Sequence, residues 1–156
     1  RRPRGGGPVF GHHARGPRVK PRIPELLSAW LPPVVYCLVI FNASARPSLP
    51  GMDAFAHQDK LVHALAYAVM GALFHRALKI TLPPRFEGLT VALATGLAAL
   101  YGLSDEFHQS YVPGRTAAAG DLAADFLGGL LGALFHRRLA PAARPNSRID
   151  KRPPFR

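Results

Sequence analysis

Long apolar runs separated by short polar bursts set the pattern of this chain. The first run, Leu26 to Ala45 (LLSAWLPPVVYCLVIFNASA), holds twenty residues without a charge. That is about the length a helix needs to cross a bilayer core. Pro32 and Pro33 inside it predict a kink or a delayed start, both of which membrane helices tolerate. A second run begins at Asp59 and extends to about Leu82. It is apolar from Leu61 to Phe74 apart from His63, and closes on His75, Arg76 and Lys79 before Pro83 and Pro84 end it. The third run covers Gly88 to about Gln109, ahead of Pro113-Gly114, and the fourth about Ala117 to His136, with a basic end at His136, Arg137 and Arg138. These runs predict an all-α, polytopic integral membrane bundle of about four transmembrane helices over residues 26–138. Basic, disordered tails are expected at 1–25 and 139–156.

Charge adds orientation. The net charge is +11, yet mean hydropathy is +0.06, because polar tails offset the apolar middle. Residues 1–24 carry seven Arg or Lys, residues 137–156 seven more, and the turn between runs two and three has Arg76, Lys79 and Arg85. Only Arg46, Lys60 and Arg115 lie at the opposite ends of the runs. Such a bias predicts that both termini are cytoplasmic. Six of the nine acids (Asp53, Asp59, Asp105, Glu106, Asp121 and Asp125) fall on the other, outward side. Basic charge held in tails rather than on one folded face argues against nucleic acid and for contact with anionic lipid. The basic segment before run one, with Ala43-Ser44-Ala45 behind it, resembles a signal peptide; since further spans follow, an uncleaved anchor is expected. The first methionine is Met52, and no function is assigned to Arg1 through Arg22. A single cysteine, Cys37, excludes an intrachain disulfide.

Charge at the mouth of apolar helices is costly in lipid, so it marks function or an interhelical lock. On run two, Asp59, His63 and Tyr67 share one helical face, with Lys60 beside them. On run three, Tyr101, Asp105 and Gln109 repeat that spacing, flanked by Glu106 and His108. On run four, Asp121 and Asp125 stand above Gly128 and Gly132, whose GxxxG step predicts close helix packing. With Arg115, these eleven polar residues (Gly128, Gly132 and Tyr101 aside) form the candidate site. The plain reading is a clasp in which Lys60 and Arg115 pair with Asp121, Asp125 or Glu106. A sharper one is acid–base chemistry by a His and a carboxylate, with Arg115 and Lys60 holding a phosphate or carboxylate. A proton or solute path is a further option, though four short helices make a small transporter. No HExxH or cysteine cluster assigns a metal or cofactor, although His63 and His108 with nearby carboxylates are the ligands a metal would have. His57 is the most plausible extra ligand. His12 and His13 fall in the tail, and His75 and His136 at the cytoplasmic interface need no special role. Trp30, Tyr36, Tyr101 and Tyr111 belong to packing or to interfacial belts.

Two patterns carry a resemblance. D-K-x-x-H-x-x-x-Y (Asp59, Lys60, His63, Tyr67) and Y-G-x-x-D-E-x-H-Q-x-x-x-P-G-R-x-x-x-x-x-D (Tyr101 to Asp121) are similar to the VanZ-like family. The trailing D-x-x-G-G-x-x-G from Asp125 to Gly132 fits as well. In that family Asn is frequent where this chain has Asp125. The resemblance implies a small multi-pass protein of the bacterial cytoplasmic membrane, whose namesake is associated with low-level teicoplanin resistance. Its expected partners are membrane lipids and, as ligand, an envelope lipid or cell-wall precursor. A glycopeptide acts outside the cytoplasmic membrane, the side on which the polar cluster is expected. Glycopeptide tolerance without catalysis is the first functional expectation. An embedded enzyme acting on an envelope lipid or precursor is the alternative.

Overall fold

The computed structural model describes residues 21–47, 58–113, 115 and 118–140. Residues 1–20 and 141–156, with Asp53 and His57, lie outside the described residues, while α1 begins at Ile23 and α4 ends at Leu139, each inside a segment expected to be tail. Among the described residues every regular element is helical: α1 (Ile23–Ser44), α2 (Gln58–Thr81), a 3-10 helix (Pro84–Leu89), α3 (Thr90–Gln109) and α4 (Ala119–Leu139). Three segments, α1, α2 and Pro84–Gln109, are long and apolar enough to cross a membrane. α4 is not among them. Asp121 and Asp125, four glycines and the His136-Arg137-Arg138 end lower its apolarity. Its two acids are instead buried against its neighbours.

Helix starts follow local chemistry. Pro24 sits in the first turn of α1, where a missing N–H costs nothing, and the Glu25 side chain accepts the Arg22 N–H at 3.1 Å. Pro32 and Pro33 do not delay α1, which begins nine residues before Pro32 and continues through both. A proline inside a helix leaves the carbonyl four residues earlier without its donor. For Pro32 that carbonyl belongs to Ser28, and Arg76 of α2 donates to it at 3.0 Å. The helix therefore survives its own defect by borrowing a donor. Arg76→Ala should speed amide hydrogen exchange in the first turns of α1 while leaving exchange in α3 and α4 unchanged.

α2 and α4 run parallel and make the most intimate contact, and α3 lies antiparallel to both. Their core is Tyr67, Met70, Phe74, Leu78, Val91, Ala94, Ala98 and Ala133. α1 packs on α2 more loosely. It is held by the Trp30 ring 6.4 Å from that of Phe74, by the Tyr36 hydroxyl donating to the Ala66 carbonyl at 3.1 Å, and by the Tyr101 hydroxyl donating to the Cys37 carbonyl. Leu and Phe side chains such as Leu31, Leu65, Leu100, Phe107, Leu131 and Phe135 point outward. In water such a surface would be a liability, and in lipid it is the matching solvent.

At the end of the bundle opposite the polar cluster, His75 departs from the sequence expectation of an interfacial residue. It is fully buried. Its Nδ1 lies 2.9 Å from Nδ1 of His136, and its Nε2 lies 3.2 Å from the Thr90 hydroxyl. This polar link ties α2, α3 and α4 together where the apolar core ends. Lys79 extends it by donating to the Ala140 carbonyl.

Candidate functional site

The C-terminal ends of α1 and α3 meet the N-terminal ends of α2 and α4. All eleven polar candidates lie at this end, but they divide into distinct groups. Lys60 reaches Asp121 at 2.9 Å and its neighbour Asp59 at 3.1 Å. Its stem passes over Gly120, where a Cβ would stand 3.0 Å from the Lys60 Cε. The Lys60 and Asp59 side chains are 37% and 46% exposed, so this pair contributes little to stability.

One turn deeper, His63 Nδ1 lies 2.9 Å from Asp125 Oδ1. This pair is buried: the Asp125 side chain is 0% exposed and that of His63 10%. The second Asp125 oxygen has no hydrogen-bond partner among the described residues. It fits against Gly102 of α3, where a Cβ would approach it to 2.8 Å. Glu106, also on α3, accepts the Ala118 N–H at 2.9 Å with one oxygen. Ala118 is the N-cap of α4 and has no capping side chain of its own, so a carboxylate from another helix supplies the acceptor. The other Glu106 oxygen is buried and unpartnered among the described residues. One polar atom from each of His63, Glu106 and Asp125 lies within 4.8 Å of the other two.

The remaining candidates border this triad. Gln109 donates to Asp105 at 2.9 Å, one turn apart on α3. Tyr67 is almost completely buried, its ring parallel to that of His63 at 6.4 Å, and its hydroxyl has no partner among the described residues. His108 does not join His63. It stacks on Phe41 of α1 with ring centroids 4.4 Å apart. Arg115 makes no ion pair among the described residues, contrary to the expected clasp, and its Nε donates to the Arg46 carbonyl at 3.4 Å. The clasp is therefore Lys60 with Asp59 and Asp121, and His63 with Asp125.

A cavity of about 60 Å³ opens between α1, α2 and α3. Its lining combines Ile40, Ala43, Val62 and Ala66 with Ser44, His63, Tyr67, Asp105, Gln109 and Arg115. The cavity is thus mainly apolar, with a few hydrogen-bonding groups among its lining residues. Tyr67→Phe tests what its hydroxyl is for. Removing an unsatisfied buried polar group leaves stability unchanged or raised. An unchanged or higher Tm with impaired function would mean that the hydroxyl serves a ligand rather than the fold.

Gly71, Ala118 and the His75 network were not singled out in the sequence, and Gly102 stood there only as part of the pattern from Tyr101 to Asp121. Gly71 touches Gly129 backbone to backbone, and neither residue carries a side chain to announce the contact. Comparison with curated proteins and with solved structures gives no match. The VanZ/LLP1 family profile matches residues 27–140, which runs from the second turn of α1 to the end of α4 and includes all eleven polar candidates. With most of its length matched, and with helices suited to a membrane, this chain belongs to the VanZ/LLP1 family.

Proposed function

We propose that the protein is a multi-pass protein of the bacterial cytoplasmic membrane, with α4 as its fourth span and both termini in the cytoplasm. Its polar end faces outward and receives the headgroup of an envelope lipid or lipid-linked cell-wall precursor. The observation that carries this reading is the mixed lining of the cavity. A lipid presents an acyl chain and a polar head together, and here Ile40, Ala43, Val62 and Ala66 line the same cavity as His63, Asp105, Gln109 and Arg115. Arg115 lines that cavity without a carboxylate partner among the described residues, so its guanidinium is available for a phosphate. Engaging such a headgroup would alter how precursors are exposed at the surface, the route by which a VanZ-like protein could affect tolerance to a glycopeptide such as teicoplanin. The charge asymmetry supports the sidedness: Arg76, Lys79, Arg85, Arg137 and Arg138 lie at the end of the bundle opposite Asp59, Asp105, Glu106, Asp121 and Asp125.

One observation favours a second reading, catalysis. His63 sits at the cavity wall with Asp125 behind it at 2.9 Å, an arrangement in which a buried carboxylate orients an imidazole for acid–base work. Side-specific thiol labelling in intact cells tests the shared premise. In a Cys37→Ser background, an impermeant maleimide should label Ser110→Cys and spare Ser147→Cys. The reverse pattern would place the cluster in the cytosol and remove the envelope reading.

A further inference from the structure

We propose that His63, Glu106 and Asp125 bind one divalent cation of the Mn²⁺ or Zn²⁺ type. Their donor atoms come from α2, α3 and α4 and converge within 4.8 Å. His63 Nδ1 and Asp125 Oδ1 are 2.9 Å apart, about the edge between adjacent ligands that each lie roughly 2.1 Å from one ion. Two of the three residues also carry an oxygen with no other use. The second oxygens of Asp125 and Glu106 are buried without a hydrogen-bond partner among the described residues, although these residues are 0% and 6% exposed. Buried polar atoms are rarely left so, and an exception points to an ion.

The charge balance leads to the same place. Lys60 is already shared by Asp59 and Asp121, leaving Glu106 and Asp125 with only the His63 imidazole beside them. A divalent ion neutralises both carboxylates with the imidazole neutral, the form in which it ligates. One imidazole nitrogen among carboxylate oxygens suits Mn²⁺ or Zn²⁺ better than Mg²⁺, which keeps several waters. Because its ligands span three helices, the ion would also fasten the polar mouth of the bundle. This inference stands whichever way the bundle faces and whether or not the protein is an enzyme.

The test is a Mn²⁺ titration of the purified full-length protein in detergent, stripped with EDTA and desalted, with free ion followed by EPR. One ion should bind per chain and be displaced by Zn²⁺. Glu106→Gln, whose amide oxygen can still accept the Ala118 N–H, should weaken binding by more than about 100-fold at unchanged helicity. Asp125→Asn should do the same. Absence of saturable binding to the unmodified chain would overturn the proposal, since protonated carboxyls hold no ion. So would binding that survives both substitutions, which would assign the ion to other histidines such as His12 and His13.

Discussion

Replacing Gly132 with alanine should cost the protein its folded bundle, the largest effect expected of any single methyl group in this chain. A Cβ at position 132 would overlap the Ala68 carbonyl oxygen of α2, and one at Gly128 would overlap that of Ala64. These obstacles are backbone atoms, so no side chain can rotate away; α2 and α4 must separate or slide. Separation would also pull Asp125 from His63 and His136 from His75, because the same two helices carry both pairs. Overpacking typically costs about 1–3 kcal/mol and occasionally more. Here the insertion falls on the closest helix contact, so the upper end or beyond is expected. Thermal unfolding in detergent should show Gly132→Ala with a large Tm loss or no cooperative transition, and Gly128→Ala close behind. Gly96→Ala is the control. That position faces open space, and alanine favours a helix over glycine by about 1 kcal/mol, so its Tm should hold or rise. Equal losses in all three variants would mean that the effect does not come from the α2–α4 contact, because Gly96 faces open space and alanine is the better helix former.

Helix positions were legible because their signals are local. Uncharged runs and the breaks at Pro83-Pro84 and Pro113 place α2 and α3 within a residue or two of Gln58–Thr81 and Thr90–Gln109. Which side of each helix faces inward was far less legible. In a soluble bundle the apolar stripe marks the core. Here both sides are apolar, and small residues mark the close helix contacts: Ala77, Ala94, Ala98, Gly102, Gly128, Gly132 and Ala133 are inside beside Tyr67, Met70 and Phe74, while Leu65, Leu100, Phe107 and Leu131 are outside. The three starting stripes were visible from helical spacing alone, since Asp59, His63 and Tyr67 share a face wherever that face points. Partner choice was not visible, because it depends on helix rotation and depth. His108 on α3 faces Phe41, while His63 on α2 meets Asp125. Arg115 looked like an ion-pair donor from its charge, yet its placement gives it a backbone carbonyl. His75 and His136 sit sixty-one residues apart and touch only because α2 and α4 are parallel.

That parallel pairing sets up the second large effect. His63→Leu, measured in EDTA so that no metal contributes, should cost about 3–5 kcal/mol, the usual penalty for stranding one member of a buried pair. The stranded group is Asp125, fully enclosed with both oxygens then unpartnered among the described residues. It must take up a proton or draw in water, and either route opposes the packing of α4 against α2 and α3. Adding Asp125→Asn to His63→Leu should recover most of the loss, because an amide carries no charge to desolvate. The double variant therefore separates structure from function. If it restores Tm and also restores the cellular phenotype, His63 and Asp125 are a clasp and the ligand is handled by Arg115, Gln109 and Tyr67 around the cavity. If it restores Tm while the phenotype stays lost, the imidazole and the carboxylate act on the ligand themselves. A double variant as unstable as His63→Leu alone would show that the pair's charge is not what the helices feel. The loss would then be one of shape, at the point where Gly102 leaves room for Asp125 and nothing larger.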